Sequence, residues 1–121
     1  MNSSRKVLLI DSAPDRKQRI KALADRGYGV FPALKMDEAR SRCTRGGYDL
    51  IVVNAGQEQE RALEFCDEIR KNCPKQLLLM TSNTNSDRDY VIAGDIPSMV
   101  QHVEKLLPRE SASPADLASA A

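Results

Sequence analysis

Three apolar runs of this chain are each followed by a polar residue, and the side chains of these three residues could act together in binding or chemistry. Asp11, Asn54 and Thr81 directly follow the runs 7–10, 50–53 and 77–80. A carboxylate, an amide and a hydroxyl could hydrogen-bond a small polar ligand. Covalent chemistry would need an activated nucleophile, and the neutral Asn54 amide is a poor one. This set of residues is therefore better suited to binding than to catalysis.

Strand and helix patterns alternate along the chain and would position these residues. Apolar runs predict five strands, at 7–10, 29–31, 50–54, 77–80 and 90–93. Apolar residues at helical spacing predict helices after all of these strands except the fourth. The alternation predicts an α/β fold, a doubly wound five-stranded parallel sheet with helices on both faces. Such sheets place ligands or chemistry at the carboxyl ends of their strands.

The length of 121 residues fits one domain with a buried core. We expect that domain to cover residues 1–107. Residues 108–121 are rich in Ser, Ala and Pro, which predicts a disordered tail or a linker. The fold prediction therefore concerns the first 107 residues.

The amino-acid composition favours some classes of protein over others. The chain is 41% hydrophobic and 29% charged, which is typical of a soluble globular protein. No apolar run approaches the roughly 20 residues that span a bilayer. Three cysteines without metal-ligand spacing indicate reduced thiols in a cytoplasmic protein. The single histidine, His102, has no nucleophile near it in sequence, so we expect neither an enzyme nor a membrane protein.

Charge is distributed unevenly along the chain. Residues 1–47 hold eleven Lys/Arg against five Asp/Glu, whereas residues 48–121 hold seven against twelve. Four basic residues of the first predicted helix could contact nucleic-acid phosphates: Arg16, Lys17, Arg19 and Lys21. No recognisable reading motif accompanies them. We therefore consider nucleic-acid binding unlikely, and an acidic partner protein a better explanation of this basic helix.

The chain resembles the receiver domains of bacterial two-component response regulators over residues 5–107. The resemblance is carried by segments in the family's order, namely VLLIDSAP at 7–14, RGYGV at 26–30, YDLIVVN at 48–54 and LEFCDEIR at 63–70. It implies a flavodoxin-like receiver fold. It also implies a role in signalling, with another protein as the partner.

The resemblance assigns a position to each group of the family's phosphorylation chemistry. Asp11 matches the first of two carboxylates that help to hold Mg²⁺, and Ser12 stands where the second would be. Asn54 stands at the phosphoacceptor aspartate, Thr81 matches the hydroxyl, and Ile92 stands at the lysine. One carboxylate is a poor Mg²⁺ site, and an amide accepts no phosphoryl group. We therefore expect a remnant pocket that holds no metal or cofactor and is not phosphorylated.

Further expectations concern local structure near the pocket. Asp11 should cap the turn that follows it, and Ser12 is a candidate helix N-cap. Residues 82–89 are too few for the family's fourth helix and its connections, so that helix should be missing or replaced by a loop. Tyr90 matches an aromatic residue that turns inward in the family. The flank of the sheet that the fourth helix covers in the family would then have to be covered by the loop, by the tail or by another chain.

The functional prediction is a phosphorylation-independent pseudo-receiver that acts as a protein–protein interaction module in bacterial signal transduction or regulation. Its partner would be another signalling or regulatory protein, or a second copy of the chain. The alternative is a receiver-like domain that a small ligand switches at the strand ends. Nucleic-acid binding through the basic first half is less favoured.

Overall fold

The computed structural model describes residues 5–84 and 86–108, which form one sheet covered by helices. The elements are β1 (Lys6–Ile10), α1 (Arg16–Ala24), β2 (Gly29–Ala33), α2 (Met36–Arg45), β3 (Leu50–Asn54), α3 (Gln59–Asn72), β4 (Leu78–Ser82), β5 (Val91–Ala93) and α4 (Ile96–Leu106). All strand pairs are parallel. The predicted α/β fold is confirmed.

The strands lie in the order β2-β1-β3-β4-β5. This is the flavodoxin-like order, in which the chain reverses its winding direction between β1 and β3. The carboxyl ends of β1, β3 and β4 are therefore neighbours at one edge of the sheet. That arrangement brings the three predicted polar residues together, although they are 43 and 27 positions apart in sequence.

Two apolar layers fix the helices on the sheet. Successive side chains of a strand point to opposite faces, so the continuous apolar runs of β1, β3 and β4 fill both layers. Helices α2 and α3 pack on one face, around Leu8, Ile51 and Phe65. Helices α1 and α4 pack on the other, around Val52 and Met99. Each such buried side chain contributes about 1.5–3 kcal/mol, so packing rather than helix propensity holds the helices.

Several predicted boundaries differ from the structure. Strand β4 begins one residue later than predicted and continues to Ser82, so Thr81 lies inside the strand, where it pairs with Asn54 in the β3–β4 register. Strand β5 begins after Tyr90. The prediction of Ser12 as a helix N-cap is wrong, because Asp15 takes that position and makes no side-chain cap. Boundaries depend on tertiary pairing that local sequence does not specify.

The connection from β4 to β5 contains no helix among the residues that the structure describes. Residues 83, 84 and 86–90 form turns and bends, as expected for a missing fourth helix. The β5 strand has three residues and pairs with only the last three of β4. The described helices therefore cover the β5 side of the sheet incompletely.

The predicted tail, residues 108–121, lies outside the described residues except for Pro108. Its disorder and the domain boundary at residue 107 stay predictions. Within the described part of the chain, no helix combines the length and apolarity needed to cross a bilayer. The thiols of Cys43, Cys66 and Cys73 are free, as predicted.

Candidate functional site

Asp11, Asn54 and Thr81 form a continuous hydrogen-bonded chain at the carboxyl ends of three strands. The Asn54 amide donates from Nδ2 to Asp11 Oδ1 at 2.9 Å. The Thr81 hydroxyl donates to Asn54 Oδ1 at 2.8 Å. Asp11 and Thr81 are buried, and Asn54 is partly buried. The amide therefore has a partner at each of its two polar ends.

The orientation of the Asn54 amide follows from the chemistry of its neighbours. An ionised carboxylate can only accept hydrogen bonds, so the amide nitrogen must face Asp11. The amide oxygen then faces Thr81, whose hydroxyl can donate. An aspartate at this position would bring a second acceptor-only group against Asp11. Asparagine thus satisfies a local pattern of donors and acceptors that aspartate would not.

Arg19 supplies the positive charge of the site. Its Nη1 atom lies 3.0 Å from Asp11 Oδ2 and 2.6 Å from Asp15 Oδ1, and its Nη2 atom donates to Asp15 at 3.0 Å. The Arg19 side chain is only 8% exposed and that of Asp11 is fully buried. The Arg19 Nε is also buried, with no hydrogen-bond partner among the described residues. The Arg19 guanidinium therefore balances the charge of the buried Asp11 carboxylate.

Arg19 was predicted to be one of four basic residues of the first helix that could contact nucleic-acid phosphates or an acidic partner, and for this buried residue that prediction is wrong. Arginine is rarely buried unless it is paired, and the pairing with Asp11 needs the β1–α1 turn to bring the two together. The spacing of four between Asp15 and Arg19 was the available signal, since such pairs meet on a helix. We call Asp11, Arg19, Asn54 and Thr81 the strand-end network.

Hydrogen bonding from Arg19 lowers the pKa of Asp15 below its ordinary value. An acid with a lowered pKa in the folded state stabilises the fold above its unfolded pKa of about 3.9, and that contribution is lost as the pH falls through the folded pKa. The side chain of Asp15 is 43% exposed, so solvent screens much of the effect. The contribution of the Asp15–Arg19 pair to stability is therefore small.

The oxygen atoms at the strand ends do not form a suitable set of ligands for a Mg²⁺ ion. Asp11 Oδ1 accepts from the Ala13 backbone N–H at 2.9 Å and from Asn54, while Oδ2 accepts from Arg19. The Ala13 bond also shows Asp11 capping the turn, as expected. The described residues contain no group of three or more His, Cys, Asp or Glu side chains that could hold a metal ion. Mg²⁺ prefers several hard, anionic oxygens, and both oxygens of the Asp11 carboxylate already accept hydrogen bonds.

Ser12 and Ile92 lie outside the strand-end network. Ser12 is exposed beside it and lines the open cleft above. Ile92 neighbours Thr81 in the β4–β5 register, but its side chain packs against the layer of α1 and α4. The correspondence of these two positions to a carboxylate and a lysine stays a prediction. Neither residue offers a charge to a phosphoryl group.

A cleft of about 630 Å³ opens above the network. Its lining is mainly polar and includes Asp15, Glu58, Ser82 and Asn83. The two carboxylates are already paired, Asp15 with Arg19 and Glu58 with Arg61 at 3.2 Å. The cleft therefore offers hydrogen-bonding groups but no free cation for an anionic ligand.

Tyr90 is turned inward and fixed by α3. It is 3% exposed, and its hydroxyl donates to Asp67 Oδ1 at 2.6 Å. Arg88 donates to the same carboxylate at 2.7 Å, and Arg70 lies 5.3 Å from the Tyr90 ring centroid. Burial, followed by the bond to Asp67, raises the pKa of Tyr90. The hydrogen bond to Asp67 and the Arg70 guanidinium over the ring hold Tyr90 in this position.

Tyr90→Phe should remove one donor from Asp67 and lower the free energy of unfolding by about 1 kcal/mol. The pKa of Asp67 is lowered first by Arg88 and next by Tyr90, so it should rise in the variant. Because a lowered acid pKa stabilises the fold only above the unfolded value, the stability difference should shrink below about pH 4. Urea denaturation across pH and carboxyl NMR titration measure both effects.

Tyr48→Phe is the matched control, because no hydrogen bond of the Tyr48 hydroxyl is found in the described structure while its ring packs against the core. It should leave both the stability and the pKa of Asp67 unchanged. Equal losses in the two variants, at every pH, would contradict the role assigned to the Tyr90 hydroxyl.

Comparisons with known proteins agree with this geometry at the level of fold. No protein-family model and no curated protein matches the chain. An orphan response regulator of H. pylori superposes with a TM-score of 0.71 at 21% identity, covering 88% of this chain and 99% of the other. An atypical orphan response regulator, described as having a phosphorylation-independent regulatory mechanism, gives 0.68 at 22%, covering 84% and 94%.

A third similar structure is a response regulator, TrrA, in complex with the histidine kinase ThkA. It has a TM-score of 0.69 at 22% identity and covers 85% of this chain and 98% of the other. Each comparison spans nearly the whole of the other chain, and all are receiver domains or response regulators. With the strand order and the polar strand ends described above, they establish that this chain has the receiver-domain fold of response regulators.

Proposed function

We propose that this chain is a pseudo-receiver, a protein–protein interaction module in bacterial signal transduction or regulation that works without phosphorylation. The observation that carries the proposal is the Asn54 amide, which is hydrogen-bonded on both sides at the phosphoacceptor position. An amide has no anionic oxygen to attack phosphorus. This amide is also engaged in holding two strand ends together.

The electrostatics of the site support the same proposal. Phosphoryl transfer depends on cations around the moving group. Arg19 is the cation of the strand-end network, and Asp11 and Asp15 both pair with it. No uncommitted positive charge is left there for a phosphoryl group. The network therefore behaves as a structural unit and not as a switch.

The likeness to response regulators favours a protein partner. TrrA forms a complex with a kinase, and the atypical orphan regulator is described as phosphorylation-independent. By analogy, we place this chain in the cytoplasm, with a signalling or regulatory protein or a second copy as its partner.

A ¹H–¹⁵N correlation spectrum before and after addition of Mg²⁺ and beryllofluoride tests the proposal. We expect no shift at Asp11, Asn54 or Thr81, because the site has neither an anionic acceptor nor a fitting metal site. A receiver with an intact aspartate, treated identically, is the positive control. Saturable shifts at those three residues would mean that the pocket still binds a phosphoryl mimic, and the proposal would fail.

Asn54→Ala gives a second test, once a partner has been captured. Its affinity for that partner should stay within about twofold of the wild type, because the proposed interaction does not use the pocket. Isothermal titration measures it, after circular dichroism has established that the variant is folded. A large loss of affinity in a folded variant would argue for a role of the pocket in binding.

One observation favours an alternative, a domain switched by a small neutral ligand. The 630 Å³ cleft has the volume of a small-molecule site, and Asn54, Ser82 and Asn83 give its lining hydrogen-bonding groups. Nucleic-acid binding is supported less well than the sequence indicated, because Arg19 is internal and Lys21 pairs with Asp25 at 2.9 Å. Phosphate contacts would weaken steeply with added salt, so a salt titration separates that class from the others.

A further inference from the structure

All three cysteines of the chain belong to α2, to α3 or to the residue that directly follows α3. Cys43 lies in the last turns of α2, Cys66 lies within α3, and Cys73 comes after the end of α3. Cys66 is part of the apolar layer under these helices, and Cys43 packs against that layer. Neither the strand-end network nor the proposed function uses a thiol.

Cys43 and Cys73 line one small cavity between the ends of α2 and α3. Its volume is about 100 Å³, and their chain neighbours Thr44 and Asn72 line it as well, whereas Cys66 does not. A cavity contains no protein atoms, so no third side chain has to move aside when the two thiols approach each other across it. We call Cys43 and Cys73 the thiol pair.

Contacts between the helices direct the thiol pair towards this cavity. The Arg40 guanidinium of α2 pairs with Glu68 of α3 at 3.1 Å. Arg40 and Cys43 are three positions apart, so they share one face of α2. Cys73 donates its backbone N–H to Ile69 O at 2.7 Å, which ties it to the last turn of α3. Both thiols are therefore held at the C-terminal ends of neighbouring helices.

The three thiols differ in how readily an oxidant can react with them. Cys73 is exposed, Cys43 is half-buried and Cys66 is buried. Burial raises the pKa of Cys43 to about 11 and that of Cys66 to about 12. Because the thiolate is the reactive form, Cys66 should be inert, and Cys73 should react before Cys43.

A metal ion is a less suitable occupant of this place. Structural zinc takes four protein ligands, but within the described part of the chain no three His, Cys, Asp or Glu side chains could share an ion. Glu68, the carboxylate that lines the cavity, is paired with Arg40. The chemistry left to two neighbouring thiols is oxidation.

We propose that the thiol pair, Cys43 and Cys73, is an oxidation site, which a hydroperoxide such as hydrogen peroxide converts to a disulfide between the ends of α2 and α3. The Cys73 sulfur attacks one peroxide oxygen, the O–O bond breaks, and a sulfenic acid and one water form. The Cys43 sulfur then attacks the Cys73 sulfur, the S–O bond breaks, and a second water leaves with the Cys43 thiol proton.

The two steps balance without a further reactant. The two thiols together lose two electrons and two hydrogens, and hydrogen peroxide is reduced to two water molecules. A thiol reductant reverses the reaction by exchange, as is usual for redox-sensing disulfides in a reducing compartment. The inference does not depend on the proposed function, because it uses no group of the strand-end network.

Peptide mapping of the full chain tests the inference. The reduced protein is treated with hydrogen peroxide, free thiols are blocked with N-ethylmaleimide in denaturant, and trypsin is added without reductant. Cleavage after Lys and Arg puts the three cysteines on separate peptides, 43–45, 62–70 and 72–75. We expect 43–45 cross-linked to 72–75, a product that dithiothreitol removes. Cys66 should carry the blocking group.

Serine variants assign the order of the two steps. Cys43→Ser should stop at the sulfenic acid, which dimedone labels at Cys73, and Cys73→Ser should form no cross-link. Cys66→Ser is the matched control, and it should form the cross-link as the wild type does. Circular dichroism establishes that each variant is folded, and the wild-type peptide map decides the question if a variant does not fold.

Thermal denaturation gives an independent measurement. A disulfide between positions 43 and 73 restricts the unfolded chain, so the Tm of the wild type should rise on oxidation and fall back with dithiothreitol. The Tm of Cys73→Ser should not respond to peroxide.

Four results would overturn the inference: no loss of thiols, oxidation of Cys73 without a cross-link to Cys43, a disulfide between two copies through Cys73, or a cross-link to Cys66. None of these results involves a phosphoryl mimic, so the beryllofluoride experiment judges the proposed function separately.

Discussion

Arg19→Met should lower the free energy of unfolding by about 3–5 kcal/mol, because it leaves the buried Asp11 carboxylate without its charge partner. Asp11 has a fully buried side chain, and Arg19 Nη1 lies 3.0 Å from it. Methionine keeps much of the apolar stem of arginine and removes the charge, so the loss reports mainly on the ion pair. Urea denaturation at neutral pH measures it.

Two variants separate this effect from a general cost of changing α1. Lys17→Met, at an exposed position of the same helix, should change the stability by less than about 0.5 kcal/mol. Combining Arg19→Met with Asp11→Asn should recover part of the loss, since no buried charge then lacks a partner. If the double variant is less stable than Arg19→Met by the full cost of Asp11→Asn alone, the two residues are not coupled and the ion pair does not stabilise the fold.

Asn54→Asp, which restores the acceptor chemically, should destabilise the chain by about 3 kcal/mol at neutral pH. The new carboxylate would stand where the amide nitrogen now lies 2.9 Å from Asp11 Oδ1. Two ionised carboxylates repel, and the donor to Asp11 is lost. A small phosphodonor with Mg²⁺ should add no phosphoryl group, because Arg19, the cation of the strand-end network, is already paired with Asp11 and Asp15. Intact-protein mass spectrometry checks this outcome.

The pH dependence of Asn54→Asp distinguishes charge repulsion from lost hydrogen bonds. The carboxyl introduced at position 54 should have a raised pKa beside Asp11. An acid whose folded pKa is raised destabilises the fold above that value, and the penalty is lost as the pH falls below the unfolded value of about 4. Asn54→Ala removes the hydrogen bonds without adding charge, so its penalty should be smaller and nearly constant. Parallel profiles for the two variants would contradict the repulsion.

The strand-end network gives the buried carboxylate at the carboxyl ends of the strands a charge partner and hydrogen-bond donors. A buried carboxylate needs a charge partner and hydrogen bonds for both oxygens. Asp11 has Arg19 as the charge partner and Ala13 and Asn54 as donors. Asparagine at position 54 is part of that solution, because its amide joins an acceptor to a donor. The asparagine at position 54 and the stability of these strand ends are therefore linked in one arrangement.

Much of the fold could be read from the sequence, because buried parallel strands are continuous apolar runs. The β3 strand was predicted with both ends as found, and a helix was correctly predicted between β2 and β3. The ends of β4 and β5 were predicted less well. Thr81 belongs to β4 because it pairs with Asn54, the last residue of β3. The local sequence around Thr81 does not indicate this pairing.

The sequence by itself determined which chemical groups stand at the strand ends and that Asn54 cannot serve as an anionic nucleophile. It also determined that the β4–β5 connection is too short for another helix. Only the tertiary structure decided where Arg19 goes, because its ion pair with Asp11 depends on how the β1–α1 turn places a helix over a strand end. The short pairing of β5 with β4 was likewise decided in three dimensions, since it depends on a strand register between residues that are distant in sequence.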